Sequence, residues 1–176
     1  MFSMLRDLDV RPGQRVLEIG TGTGWNAALL AYRLGASNVV TVEVDAEVAE
    51  RGGVALERFG APVEVVHQDG ALGCAERAPF DRIIVTCGVR RVPGAWIRQT
   101  RHGGVVLLPW GTYYGADEAT ARLVVDADGL TASGPFTRSV AFMRMRSQRF
   151  VWPRHDAYVP GADAMDAAEV SFTDVP

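Results

Sequence analysis

Lysine is absent: all eighteen basic residues are arginine. With Ala and Gly abundant, that skew looks like the codon bias of a GC-rich genome more than a physical requirement. An excess of positive charge is also missing. Eighteen basic against twenty-one acidic residues give a formal net charge of −3 and a pI near 5.6, whereas proteins that neutralise phosphates show a clustered surplus of Lys and Arg. Nucleic acid is therefore not an expected partner. Cysteine is scarce: Cys74 and Cys87 can form at most one bridge, and their contexts read as separate loops beside a buried sheet. Reduced thiols in a cytoplasmic protein are the simpler expectation. Long apolar runs are lacking too, since the longest uncharged apolar stretches are far below the roughly 20 residues of a membrane span. Arg6, Asp7 and Asp9 interrupt what would have to be the apolar core of a secretory signal. No membrane partner is expected.

What is present is one domain's worth of core: 176 residues, 48% hydrophobic and 22% charged. The composition is that of a folded chain. From Asp156 to Pro176 there are five acidic residues and no arginine, so the expected division is a domain over 1–155 and an acidic tail over 156–176.

Through residue 109 short β-type runs alternate with helix-length segments. Strands are predicted over 15–19, 38–43, 63–67, 82–86 and 105–109, and helices over 26–34, 46–59 and 93–101. Gly35 and Gly60 stand where helices stop, and Asp45 stands where the second helix needs an N-cap. That helix is expected to carry Val48, Leu56 and Phe59 on or near one face, the apolar one. Strands apolar on both faces imply a parallel sheet covered by helices on both sides. The fold class is therefore α/β: a doubly wound, Rossmann-like, mostly parallel sheet. Beyond Pro109, runs at 121–126 and 140–145 flank a turn-rich stretch and predict an antiparallel hairpin closing one sheet edge.

Between the first strand and helix, Val16-Leu-Glu-Ile-Gly-Thr-Gly-Thr-Gly-Trp25 places three glycines at alternate positions. Glycine there serves a tight turn and lets a ligand lie against main-chain N–H groups. A purely structural turn is the bland alternative. A dinucleotide fingerprint counted from Gly20 requires glycine at position 25, which is Trp25, so NAD and FAD are weakened. Glu18 in the strand, Glu43 ending the second strand and Asp69 after the third fall near the strands' C-terminal ends, the ligand-binding edge of such sheets. Glu18 is expected to face a polar ligand, since a carboxylate in a buried strand otherwise costs free energy. Three acids suit a cationic, ribose-bearing ligand without phosphates, and S-adenosyl-L-methionine fits. Taken singly, each acid could instead be a strand-end cap or a surface carboxylate.

The segments VLEIGTGTGWNAALLA, TVEVD, HQDGALG, APFDRIIVT and GGVVLLPWG, in this order and spacing, resemble the protein-L-isoaspartate O-methyltransferase family of class I methyltransferases over roughly residues 4–146. The resemblance implies a carboxyl O-methyltransferase using S-adenosyl-L-methionine. It implies that Gly20, Thr21, Gly22, Thr23 and Gly24 cradle the methionine side, and that Glu43, followed by Val44, holds the ribose. Gln68, Asp69 and Gly70 would lie along the adenine, with Thr86 bordering the transfer site. The implied acceptor is an aspartyl or isoaspartyl group in a protein, or in a ribosomally made peptide that a partner enzyme helps to mature.

The family carries, upstream of the glycine strand, an Ile-Ser-Gln-Pro-like motif whose Ser helps to receive the substrate. Met1 to Met4 align with the helix after that motif, and Ser3 lacks its context, so no catalytic residue is assigned. The expectation is a start at an internal methionine or an abbreviated substrate lid. A carboxylate acceptor tolerates this, being anionic at pH 7 and needing no general base. His67, His102 and His155 read as structural or surface residues. Two other classes stay open: a cofactor-binding but catalytically idle interaction module, and another small-molecule methyltransferase.

Arg138, Arg144, Arg146, Arg149 and Arg154 crowd the region before the tail. They read either as a solvated edge strand protected by charge or as a dock for an acidic peptide, with Arg146 near the cofactor edge and the tail able to fold back on them. Strand alternation would put Met143 and Met145 on one face and Arg144 and Arg146 on the other. Trp25 is expected over the cofactor loop, and Trp110, Tyr113 and Tyr114 either at a substrate mouth or in loop packing.

Overall fold

A computed structural model describes residues 2–112 and 117–149. Tyr113, Tyr114, Arg154, His155 and the predicted tail lie outside the described residues. The order is α1 (Phe2–Leu8), β1 (Val16–Ile19), α2 (Trp25–Leu34), β2 (Val39–Glu43), α3 (Ala46–Arg58), β3 (Glu64–His67), β4 (Phe80–Val85), α4 (Gly94–Gln99), β5 (Thr100–Gly111), β6 (Glu118–Val125), β7 (Ala132–Ser133) and β8 (Phe136–Val140).

The strands form one sheet in the order β3-β2-β1-β4-β5-β6-β7, with β8 also pairing β6. β1 to β5 run parallel, and β6, β7 and β8 are antiparallel additions. The doubly wound class is as expected. Period-two alternation divides the core: Val16, Ile84, Val105 and Leu107 meet α1, α2 and Leu56 of α3 on one face. Leu17, Ile19, Ile83, Val85, Val106 and Leu108 meet Trp96 and Ile97 of α4 on the other. Because β1 lies between β2 and β4, chain order reverses direction there and a crevice opens beyond the strands' C-terminal ends.

Local chemistry sets the element ends. Asp45 Oδ1 accepts from Glu47 N at 3.1 Å and Val48 N at 3.2 Å, satisfying two of the orphan donors of α3. Gly35 ends α2 with φ of 84°, and α4 stops at Gln99 because Thr100 already joins β5.

Two expectations need correction. α3 buries Ala49, Gly52 and Leu56, while Phe59 is exposed and Val48 only half-buried. The helix packs through small residues because the glycine loop comes so close: a Cβ on Gly52 would stand 2.9 Å from Thr21 Cγ2, and one on Gly24 2.9 Å from Leu56 Cγ. The predicted strand over 140–145 is also displaced, since β8 ends at Val140. Residues 143–149 instead form a strap toward the C-terminal ends of the parallel strands. Gly88 N donates to Met143 O and Met145 N to Gly88 O, both at 2.9 Å. Met145 is buried at 6% exposure while Met143 is 81% exposed, so the two do not share a face.

Candidate active site

The β1–α2 loop turns on three left-handed glycines, Gly20, Gly22 and Gly24, with φ of 101°, 54° and 78°. Side chains rarely adopt that region. Gly20 is fixed by space as well, because a Cβ there would lie 2.5 Å from Thr86 Oγ1. The Thr86 hydroxyl lies 3.0 Å from Ile19 O and 2.8 Å from Gly20 O, close enough to donate to either carbonyl, tying the end of β4 to the start of the loop.

Glu43 fastens the loop from the opposite side. Its Oε2 accepts from Gly22 N at 3.0 Å, and its Oε1 accepts from Val44 N at 2.9 Å and Asp45 N at 3.2 Å. A carboxylate offers about four acceptor positions, so three bonds orient it and leave capacity for a ligand hydroxyl. Asp69 Oδ1 accepts from Ala71 N at 2.9 Å. Gly70 packs so closely that a Cβ would meet Ile19 Cγ2 at 2.6 Å, and its carbonyl accepts from the indole of Trp96 at 2.8 Å.

These groups surround a cavity of about 330 Å³, within the range of small-ligand sites. Of the predicted residues, Gly20, Gly22, Glu43, Val44, Asp69, Gly70 and Thr86 line it. Glu18, Thr21, Thr23, Gly24 and Gln68 do not. Thr21 is buried against Thr41, their hydroxyls 2.8 Å apart, and Thr23 is exposed. Gln68 turns its amide to the Gly73 carbonyl.

Glu18 corrects the expectation that it faces a ligand. It is 1% exposed and lies on the Val16 face of β1, where Asn26 Nδ2 and Thr41 Oγ1 each donate to it at 2.7 Å. Burial pushes its carboxyl up to about 7, although both hydrogen bonds pull the other way. With Thr41 and Thr21 it forms a polar chain behind the loop.

Of the opposite wall, sequence reasoning put Arg146 near the cofactor edge and read Arg144 and Arg149 with it as a charged edge or a dock. It gave Met143, Met145, Cys87 and Asp45 no place in the site. Met143, Arg144, Met145, Arg146 and Arg149 of the strap line the cavity, as do Cys87 and Asp45. Arg146 Nη2 donates to Asp45 Oδ2 at 3.1 Å, which holds Asp45 below the usual carboxylate range. The run of arginines was the available signal, but its placement required the strap. Burial pushes the Cys87 thiol up to about 12, which disfavours its thiolate form. Neither Trp25 nor Trp110 is part of the lining: Trp25 is 56% exposed, and Trp110 donates from Nε1 to Arg90 O at 3.0 Å and packs on Phe136. A second, open groove between α3 and β3, lined by Glu50, Glu57 and Glu64 among others, contains none of the predicted site residues.

Arg138, expected with the other arginines, instead forks onto Asp7, donating from Nη2 to Oδ2 at 2.8 Å and from Nε at 3.1 Å. It fastens β8 to α1. Among the described residues no cluster of His, Cys, Asp and Glu could hold a metal ion, and no helix is long and apolar enough to cross a membrane.

The model of the protein-L-isoaspartate(D-aspartate) O-methyltransferase family matches residues 1–148. The chain is 40% identical over 130 residues to the protein-L-isoaspartate O-methyltransferase of Thermococcus sibiricus, covering 73% of this chain and 58% of that one. It is 42% identical over 113 residues to a Methanococcus maripaludis enzyme of the same name, covering 63% and 53%. The chain thus spans little more than half the length of these curated relatives. A solved structure of a protein-L-isoaspartate O-methyltransferase superposes with a TM-score of 0.74 at 31% identity, over 81% of this chain and 45% of that one. A Plasmodium falciparum beta-aspartate methyltransferase, solved with S-adenosyl-L-homocysteine, shares the fold with a TM-score of 0.68 at 16% identity, over 84% and 71%.

Proposed function

The chain belongs to the protein-L-isoaspartate(D-aspartate) O-methyltransferase family, and on that premise we propose that it is an S-adenosyl-L-methionine-dependent O-methyltransferase esterifying aspartyl or isoaspartyl carboxylates in a protein or peptide. The observation that carries this reading is the convergence of Gly20, Gly22, Glu43, Asp69 and Thr86 on one cavity at the switch point of the sheet.

The donor set fits the cofactor. Gly20 and Gly22 present backbone where a side chain would fill the space or strain the turn. Glu43, oriented by three N–H groups, keeps acceptor capacity for a ribose hydroxyl. Asp69 and Gly70 line the same cavity and are the residues that would hold the adenine. When bound, the cofactor supplies an electrophilic methyl group on a cationic sulfonium. Carboxylates at the cavity wall favour that cation over its neutral thioether product, and so favour binding of the reactive form.

The acceptor needs orientation rather than deprotonation. A carboxylate oxygen is already anionic near neutral pH; it forms the new C–O bond as the C–S electron pair returns to sulfur, and no proton moves. Thr86 contributes by holding the β4 end against the loop. Positioning alone can supply roughly 7–11 kcal/mol in favourable systems. The Glu18–Thr41–Thr21 chain supports the loop from behind as a positioning device. The free thiols of Cys74 and Cys87 support a reducing, cytoplasmic setting.

Calorimetric titration with S-adenosyl-L-methionine and S-adenosyl-L-homocysteine tests the cofactor, and a folded sample that binds neither would overturn the reading. Paired peptides differing only in Asp or isoAsp, followed by mass, test the acceptor. A single methyl gained on isoAsp supports repair of damaged protein, whereas ester or water-loss product on one Asp of a dedicated peptide supports maturation.

A further inference from the structure

The cavity has electrically opposite walls. Glu43, Asp45 and Asp69 come from the ends of β2 and β3, and Arg144, Arg146 and Arg149 all come from the strap facing them. Arg146 is committed to Asp45 at 3.1 Å. Among the described residues, the hydrogen bond of the exposed Arg149 side chain uses Nε, which donates to Arg144 O at 3.3 Å. That leaves its two terminal amino groups, the pair that grips carboxylates side by side.

The strap under these arginines is fixed. Gln148 Oε1 accepts from Arg90 N at 2.7 Å and Arg91 N at 2.9 Å, and its Nε2 donates to Arg91 O at 2.8 Å. Met145 is buried in the core beside Gly70. Backbone pinned on both sides of Arg146 presents the Arg149 guanidinium at the cavity without ordering a loop first, which lowers the entropic cost of using it.

Resting on the methyltransferase reading, we propose that Arg149 of the strap binds a second carboxylate of the acceptor, so that the preferred substrate is an acidic peptide segment rather than an isolated aspartyl group. The reacting carboxylate is a poor occupant for it. A guanidinium gripping both its oxygens would hold the lone pairs that must attack the methyl group. A neighbouring carboxylate meets no such conflict, and its grip orients the acceptor along the cavity. The other carboxylate of suitable chemistry is the one on the cofactor itself, and the experiment separates the two.

The test is peptide binding, measured by fluorescence anisotropy with S-adenosyl-L-homocysteine present so that no turnover is needed. Two labelled peptides carry the same isoaspartyl group, one flanked by glutamates and the other by neutral residues. The acidic peptide is expected to bind about tenfold tighter, with the preference shrinking as salt rises. Arg149→Gln is expected to remove most of it, while Arg33→Gln, the same charge change on the exposed face of α2, leaves it intact. Equal affinity for the two peptides overturns the proposal, as does an Arg149→Gln loss falling on S-adenosyl-L-homocysteine instead of the acidic peptide. Methyl transfer to the neutral isoaspartyl peptide is scored separately, so failure of the activity and failure of the acidic preference are distinguishable.

Discussion

Arg146 Nη2 lies 3.1 Å from Asp45 Oδ2, joining residues 101 positions apart. The same Asp45 carboxylate caps α3 through its other oxygen. One side chain therefore sets where α3 begins and where the strap crosses the cavity.

This sharing is readable by titration. The Arg146 hydrogen bond, then the Val48 N–H, lower the Asp45 carboxyl. A carboxyl depressed in the folded state contributes stability above its unfolded pKa and loses it as pH falls through the folded value. Arg146→Gln should move Asp45 up toward the ordinary range in an NMR titration, with faster amide exchange in the strap and α3 still capped. An unmoved Asp45 would show that the pair does not persist in solution.

Glu18 predicts the opposite slope. Its carboxyl is raised from 4.5 to about 7, chiefly by burial, so its contribution is fully present below the unfolded pKa and declines as pH rises through the folded one. Ionising it costs about 3 kcal/mol, taking roughly 1.4 kcal/mol per unit. Glu18→Gln keeps a carbonyl acceptor for Asn26 and faces an NH₂ toward the Thr41 hydroxyl, which can accept. Urea unfolding of the variant should show a flatter pH dependence between about 5 and 7.5. A slope identical to wild type would place the proton elsewhere.

Gly20 is the least replaceable loop residue. Gly20→Ala meets both a φ of 101° and Thr86 Oγ1 at 2.5 Å, and strain of this kind costs on the order of 1–3 kcal/mol. Cofactor affinity should fall with stability. Thr86→Ala, added to Gly20→Ala, should recover part of the stability by removing the collision while the strained φ remains. No recovery would locate the cost in the backbone alone.

Arg90 and Glu118 form a pair whose side chains are 1% and 2% exposed, 3.3 Å apart. Among the described residues Arg90 Nε and Nη2 have no hydrogen-bond partner, and Glu118 Oε2 also accepts from Phe142 N at 3.3 Å. Glu118→Gln leaves a buried guanidinium uncompensated and should destabilise by about 3–5 kcal/mol. Adding Arg90→Met should restore much of that, because the orphaned charge is then gone. Thermal unfolding of the two variants measures the difference, and a double variant no more stable than the single one would contradict this assignment.

β2, β4 and β5 were legible because they carry apolar residues on both faces, a local property that survives without knowledge of neighbours. So were the Asp45 cap and the Gly35 stop, since the hydrogen bonds and φ angles involved span only a few residues. The glycine loop and Glu43 could be placed at the binding edge because strand ends in a doubly wound sheet are ligand ends whatever the side chains.

Glu18 was misplaced for a definable reason. Periodicity gives a residue's face relative to its neighbours in the strand, but which face meets α2 depends on how that helix crosses back, and Asn26 and Thr41 are partners only after folding. The Arg and Met alternation at 143–146 misled in the same way, since it reads as a strand and becomes a strap once Gly88 supplies the hydrogen bonds.

The sequence by itself determined the sheet, the glycine turn and the acids at its rim, because backbone preference and apolar periodicity act over short spans. Only the tertiary structure decided which carboxylate is buried and which lines the cavity, and that arginines from residues 144–149 form the wall opposite. Burial and charge pairing depend on contacts between residues as far apart as Asp45 and Arg146, and no local pattern encodes them.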